Sequence, residues 1–159
     1  MDYSFIIRKA IIEDAPAVHN ILLKAFEGYK TASGIPGPLD ALAESIKSIE
    51  EDIAGKDVLI AFMDNAPVGT VRIGAVDPET AILSRLGVVP GHQNIGIGKS
   101  LMNMVDKLAI EKCFKRVVLY TASKNFDLIR FYYSRGFFVD STSKARGYVR
   151  AMLVKEYTI

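Results

Sequence analysis

The stretch Gln93-Asn94-Ile95-Gly96-Ile97-Gly98-Lys99-Ser100 has the residue types and spacing to hold an anion. An apolar run over residues 81–88 leads into it and ends at Pro90. A helical pattern (Leu101, Met104, Val105, Leu108, Ala109) leaves it. Gly96 and Gly98 let a backbone turn tightly and approach a ligand. The amides of the loop and first helical turn then point outward without intrahelical partners, a setting that favours phosphate. Gly98-Lys99-Ser100 copies the end of a P-loop, but that motif needs a glycine where this chain has Gln93. The dinucleotide fingerprint fails too, because Leu101 stands where its third glycine or alanine would be. What remains is Gln-x-x-Gly-x-Gly between a strand and a helix.

A second constellation lies downstream at Phe131-Tyr132-Tyr133-Ser134-Arg135-Gly136-Phe137. Taken with the glycine loop, this Phe-Tyr-x-x-x-Gly-Phe pattern resembles the GNAT superfamily of N-acyltransferases, in order and over essentially the whole chain. The resemblance implies that Gln93, Asn94, Ile95, Gly96, Ile97, Gly98, Lys99 and Ser100 hold the pyrophosphate of acetyl-CoA. It implies a backbone amide in the Leu86, Gly87, Val88 region that polarises the thioester carbonyl as charge develops on its oxygen. Asn125 would align the pantetheine arm, and Tyr132, protonated at neutral pH, would donate to the leaving thiolate. Relatives often carry a glutamate in the strand before the loop to take the amine's proton. Ser84 aligns there, which leaves Glu27, an acidic residue of the substrate loop or a water chain for that part. The acceptor groove would be bounded by residues 26–39 and the last two strands.

Each of these residues also has a plainer reading. Tyr132 could be a buried aromatic with a core partner for its hydroxyl. Asn125 suits a helix cap, with the coenzyme contact as an addition. Gln93 could face solvent, although its place at the head of the motif favours a phosphate contact. Tyr120 and Tyr133 are core or wall residues, His92 an exposed loop residue and His19 a structural one. Cys113 closes a helical apolar face and reads as a small hydrophobe. Arg146 and Arg150 flank Gly147-Tyr148 and could meet a substrate carboxylate or a partner chain, although exposed arginines usually do neither.

The elements that position these residues follow from periodicity. Residues 5–9 read as a strand, and Asp14 as an N-cap for a helix whose stripe is Val18, Ile21, Leu22, Ala25 and Phe26. That helix stops near Gly28, residues 30–39 have loop composition, and a second helix spans residues 40–52. Runs at 58–63 and 68–75 form a hairpin, followed by the strand at 81–88. Beyond the central helix come a strand at 116–121, a helix at 126–135 stopped by Gly136, and closing strands at 137–139 and 148–157. The order β-α-α-β-β-β-α-β-α-β-β predicts a mixed α/β fold. The GNAT resemblance makes this a mostly antiparallel mixed sheet flanked by helices, the acyl-CoA N-acyltransferase fold, as a single domain over residues 1–159.

Composition bounds the rest. The 159 residues are 50% hydrophobic and 24% charged, ordinary for a globular domain. A net charge of +2 with no basic stripe argues against nucleic acid, and no apolar run is long enough to span a bilayer. The acidic start without a basic region predicts no signal peptide. One cysteine excludes an internal disulfide, and two histidines announce no metal site; a cytoplasmic protein is expected. The reading that best absorbs these features is an acetyl-CoA-dependent N-acetyltransferase without a metal. It would transfer directly to a primary amine of a small molecule, a peptide or a protein. The alternatives are an acyl-CoA-binding sensor without turnover and, from Gly98-Lys99-Ser100 alone, a nucleotide phosphohydrolase. The latter lacks both the first P-loop glycine and an aspartate after residues 117–120 to hold magnesium. The family resemblance permits a homodimer, but no residue points to an interface.

Overall fold

The structure, a computed structural model, describes residues 4–158. Its first half runs β1 (Ile6–Lys9), a 3-10 turn (Ile12–Asp14), α1 (Ala15–Ser33), α2 (Asp40–Ala43), α3 (Ile46–Gly55), β2 (Asp57–Met63) and β3 (Ala66–Ala75). The second half runs β4 (Thr80–Val88), α4 (Ile97–Glu111), β5 (Arg116–Ala122), α5 (Phe126–Ser134), β6 (Phe138–Ser143) and β7 (Arg150–Glu156). The strands form one seven-stranded sheet in the order β1-β2-β3-β4-β5-β7-β6. Every pairing is antiparallel except β4 with β5, which the α4 crossover joins in parallel. The predicted mixed, mostly antiparallel sheet flanked by helices is what forms.

Both faces of the sheet are covered, which explains why the central strands read as continuous apolar runs. Alternate residues of β2 serve the two sides. Leu59 and Ala61 join Val71 and Ile73 of β3 against Leu101, Met102 and Val105 of α4. Val58 and Ile60 meet Val18, Ile21 and Leu22 of α1 and Ile49 of α3. Each such aliphatic side chain contributes roughly 1.5–3 kcal/mol by leaving water. The hairpin between β2 and β3 turns at Asp64 and Asn65, both left-handed at φ 50° and 66°, as a two-residue turn requires.

Four expectations need correction. Helix α1 does not stop near Gly28 but continues to Ser33 and closes at left-handed Gly34 (φ 63°). It continues because Tyr29 and Ser33 extend its buried stripe and find partners across the sheet, as described below. The expected helix over residues 40–52 is two helices. Glu44 is extended (ψ 139°) and Ser45 caps a fresh start, its hydroxyl accepting from the Ser48 N–H at 3.1 Å. Asp14 precedes α1 but makes no side-chain cap, because Arg8 (2.6 and 3.0 Å) and the Ile11 N–H (2.8 Å) occupy its carboxylate. Finally, β6 takes in Ser141, Thr142 and Ser143, which pair with β7 although their composition reads as a loop. As an edge strand, largely exposed, it needs no apolar alternation to form. Among the described residues, no helix is long and apolar enough to cross a membrane.

Candidate active site

The site begins where two neighbouring strands part. The ladder between β4 and β5 consists of Thr80–Arg116, Ala81–Val117 and Ile82–Val118, and ends there. Beyond it β4 runs on to Val88 and β5 to Ala122 with no pairing between them. A bulge drives β4 away. Opposite β3 the register shifts between Thr70 and Arg72, so that Arg85 and Leu86 together face Val71. Arg85 sits at φ 56°, unusual for a residue with a Cβ. Bulges of this kind bend a strand and re-aim its side chains. The backbone edge so released opens onto a cleft of about 360 Å³.

The walls come from distant parts of the chain. Ser84, Arg85 and Leu86 supply one side, and Leu119, Tyr120 and Thr121 of β5 the other. Phe26 and Tyr29 of α1 close it above, with residues of the 35–41 segment beside them. Tyr132 of α5 and Arg146, Tyr148 and Arg150 of the β6–β7 region complete it. Of the expected groove, residues of the 26–39 stretch and the start of the last strand border the cavity, whereas no described residue of β6 does.

Tyr29, not singled out from the sequence, holds the free edge of β5. Its hydroxyl accepts from the Ala122 N–H (3.0 Å) and lies 3.3 Å from Thr121 Oγ1. It thereby replaces the partner that β4 would have supplied. Continuation of the 3.6-residue stripe from Ala25 through Tyr29 to Ser33 was the available signal, masked by Gly28. Ser33, buried, accepts from Asn125 Nδ2 at 3.2 Å. Asn125 Oδ1 accepts from the Leu128 N–H (3.3 Å), so this residue caps α5 and ties it to the end of α1.

Tyr132 is 4% exposed and stacks edge-on against Phe131 and Phe137. Its hydroxyl has no hydrogen-bond partner among the described residues, so the plainer reading with a core partner does not hold. Burial, with a smaller contribution from Tyr29, pushes the phenol above the ordinary tyrosine range, which keeps its proton in place. By contrast Tyr133 is half exposed and its hydroxyl accepts from the Val139 N–H (3.0 Å), which takes it out of the core. Tyr120 is a cleft wall.

The glycine loop leaves β4 beside this cavity. Gly96 is left-handed at φ 99° and precedes the first turn of α4. Gly98 is already inside that turn, so the tight bend expected of it belongs to Gly96 alone. The Ser100 N–H returns to Gly96 O (2.9 Å), but the N–H groups of residues 93–99 find no acceptor among the described residues. A helix start alone leaves four such donors, and this loop adds more. They suit a pyrophosphate, which offers many acceptor oxygens. Ile97 is buried and Ile95 packs on the core, anchoring the loop, while Asn94 is left-handed (φ 63°) and Lys99 exposed. Gln93 Nε2 donates to Val88 O at 3.4 Å and closes the loop on its strand. Gly87 has a packing reason of its own: a Cβ there would stand 2.9 Å from the Cβ of Ala25.

Glu27 is exposed and does not line the cleft. Ser84 does, and among the described lining residues Asp40 is the one carboxylate. Glu44 lies behind Arg85, bound by it (3.0 Å) and by Arg72 (2.7 and 2.8 Å). Burial would raise the Glu44 carboxyl, but these two arginines outweigh it and hold it below the usual carboxylate range. It cannot accept a proton near neutrality. Cys113 is exposed and left-handed (φ 61°) just past α4, so it is not the buried small hydrophobe expected. His92 is half-buried rather than exposed, with Nδ1 shielded and unpaired among the described residues.

Residues 16–137 match the model of the acetyltransferase (GNAT) family. Among solved structures, the chain resembles the PaiA N-acetyltransferase from Thermoplasma acidophilum in complex with coenzyme A. The two share 24% identity at a TM-score of 0.85, covering 97% of this chain and 99% of that one. It also resembles yncA from Salmonella typhimurium, solved with its cofactor acetyl-CoA, at 18% identity and a TM-score of 0.78, with 98% and 95% covered. A GNAT-family acetyltransferase from Staphylococcus aureus Mu50 matches at 20% identity and a TM-score of 0.77, with 98% and 100% covered.

Proposed function

The chain belongs to the acetyltransferase (GNAT) family, and on that premise we propose that it moves an acetyl group from acetyl-CoA directly to a primary amine. The observation that carries this reading is the parting of β4 from β5 beside a loop of unpartnered amides. The coenzyme would supply the acetyl group already activated as a thioester. Residues 93–99 would hold its pyrophosphate through backbone donors, with Lys99 and Ser100 at the rim. The bulged segment of β4 at Leu86 to Val88 would present an amide to the thioester oxygen as it gains charge. One donor of that kind is worth on the order of 10²-fold in rate. Tyr132, protonated and aimed into the same cleft, would donate its hydroxyl proton to the departing sulfur. Asn125, which does not line the cleft but ties the start of α5 to the end of α1, would meet the pantetheine arm.

The incoming amine must be neutral to attack. With Ser84 in the cleft and Asp40 already paired to Arg146 (3.0 Å), no lining residue among the described ones is an unpaired carboxylate or an imidazole. The amine's proton would then leave to water, and kcat/KM should rise with pH along the acceptor's own titration. Because Tyr132 is raised, no falling limb from this group should appear through about pH 10, the ordinary tyrosine value.

The test has two parts. Acetyl-CoA should raise the melting temperature by mass action, whereas magnesium-ATP should not. Thiol release over a panel of amines should then identify an acceptor, and Tyr132→Phe should lower kcat by about 10²-fold or more while the melting shift persists. Stabilisation without thiol release from any amine would leave a non-catalytic acyl-CoA sensor. No stabilisation by either coenzyme form would sink the coenzyme site.

A further inference from the structure

Three guanidinium groups face the acceptor end of the cleft, and they are not equally engaged. Arg85 Nε donates to Glu44, and Arg146 Nη1 to Asp40, both at 3.0 Å. Arg150 instead lies over the ring of Tyr120, its guanidinium carbon 4.7 Å from the centroid. It has no carboxylate partner among the described residues. A guanidinium engaged only by a ring keeps its N–H fork available, and such a fork can grip a carboxylate with two parallel bonds. Tyr148 stands within electrostatic reach of Arg150, Arg146 and Asp40, and its hydroxyl has no partner among the described residues. The single lining carboxylate, Asp40, is already paired, and Ser84 adds no charge. A polycation entering this cleft would meet more arginine than acid.

We propose that the acceptor is an amine that also carries a carboxylate, and that Arg150, held over the ring of Tyr120 and supported by Arg146 and Tyr148, binds that carboxylate. This deepens the transferase reading of the same cleft and rests on it. The amine end is then free to reach β4, while the acid end is fixed on β7. Selection follows from charge: an amide in place of the acid would displace water from the guanidinium without supplying a charge partner.

The experiment measures thiol release at saturating acetyl-CoA over α-, β- and γ-amino acids and dipeptides. Each is paired with its carboxamide, and spermidine and phosphoethanolamine are added. At least one acid should exceed its carboxamide in kcat/KM by roughly 10- to 100-fold, the range expected of a charge-assisted pair. Arg150→Gln should collapse that preference through KM, and Arg150→Lys should restore it only in part, because an ammonium cannot bind bidentately. The melting shift with CoA serves as the folding check on both variants. Carboxamides, spermidine or phosphoethanolamine used as well as the best acid would overturn the proposal and leave the transferase reading standing. So would an Arg150→Gln variant that lost acid and carboxamide alike. If no amine turns over, melts of the CoA complex with N-acetylated acids and N-acetylated carboxamides read the subsite directly. Stabilisation by the acid alone, abolished in Arg150→Gln, would keep the subsite and overturn transfer. No stabilisation would overturn both.

Discussion

Two glycines in one short motif are there for different reasons. Gly96 holds φ 99°, a conformation that strains any residue with a Cβ. Gly98 sits in ordinary helix, where a Cβ would meet Phe131 Cζ at 3.8 Å and Val88 Cγ2 at 4.0 Å, both normal contacts. The protein's own packing therefore does not ask for glycine at 98, and glycine inside a helix costs about 0.5–1 kcal/mol relative to alanine. Gly98→Ala should leave the melting temperature unchanged or slightly higher, yet weaken the stabilisation conferred by acetyl-CoA. A variant that lost both equally would show that Gly98 is structural. The sequence marked both glycines but could not tell them apart, because backbone angles are not written in residue type. Tyr132 poses the same problem: it was marked by its motif, whereas its unpartnered hydroxyl depended on what α1 and β5 place around it.

At the scale of elements, the central strands and α4 were legible because each buries a periodic face. What was not legible were the two places where polar contacts override local pattern. α1 runs past Gly28 because Tyr29 bonds the edge of β5 and Ser33 bonds Asn125. The helix expected over residues 40–52 breaks because Glu44 turns into the sheet to meet Arg72, which is 2% exposed and also held by Asp52 at 2.7 Å. Removing one partner of a buried pair typically costs about 3–5 kcal/mol, since the other charge stays buried. Because Asp52 still holds Arg72, Glu44→Gln should lower stability to urea by less, about 1–2 kcal/mol. It should also loosen Arg85, raising KM for the amine while the acetyl-CoA melting shift survives. Equal loss of both ligands would mean that the whole cleft had collapsed.

For the whole molecule, charges tie together elements that the hydrophobic cores leave loosely specified. Buried Asp57, at the start of β2, binds Lys9 of β1 at 2.5 Å and Lys112 at the end of α4. Burial would raise its carboxyl, but the two lysines outweigh burial and hold it below the ordinary value of 3.8. Glu44 and Asp14 are lowered as well, the first by Arg72 and Arg85 and the second by Arg8. A carboxylate depressed in the folded state stabilises at pH values above its unfolded pKa, and the benefit is lost as pH falls through the folded one. Stability should therefore be level near neutrality and decline below about pH 4. Asp57→Asn should flatten that decline in urea titrations run at successive pH values. An unchanged slope would assign acid sensitivity to other groups.

Periodicity and turn residues alone determined a mixed α/β order of strands and main helices, and two short motifs carried the resemblance that implied the mostly antiparallel sheet and the family. These rest on short-range information: periodicity, turn residues and motif spacing act within a few neighbours along the chain. The cleft was decided by the tertiary structure. Its opening depends on a bulge at Arg85 that parts β4 from β5, and its chemistry on residues far apart in sequence, such as Tyr29, Tyr120 and Arg150. Arg150 is one charged residue among many along the chain. Its place in the cleft comes from the β5–β7 pairing, which sets its guanidinium over the ring of Tyr120.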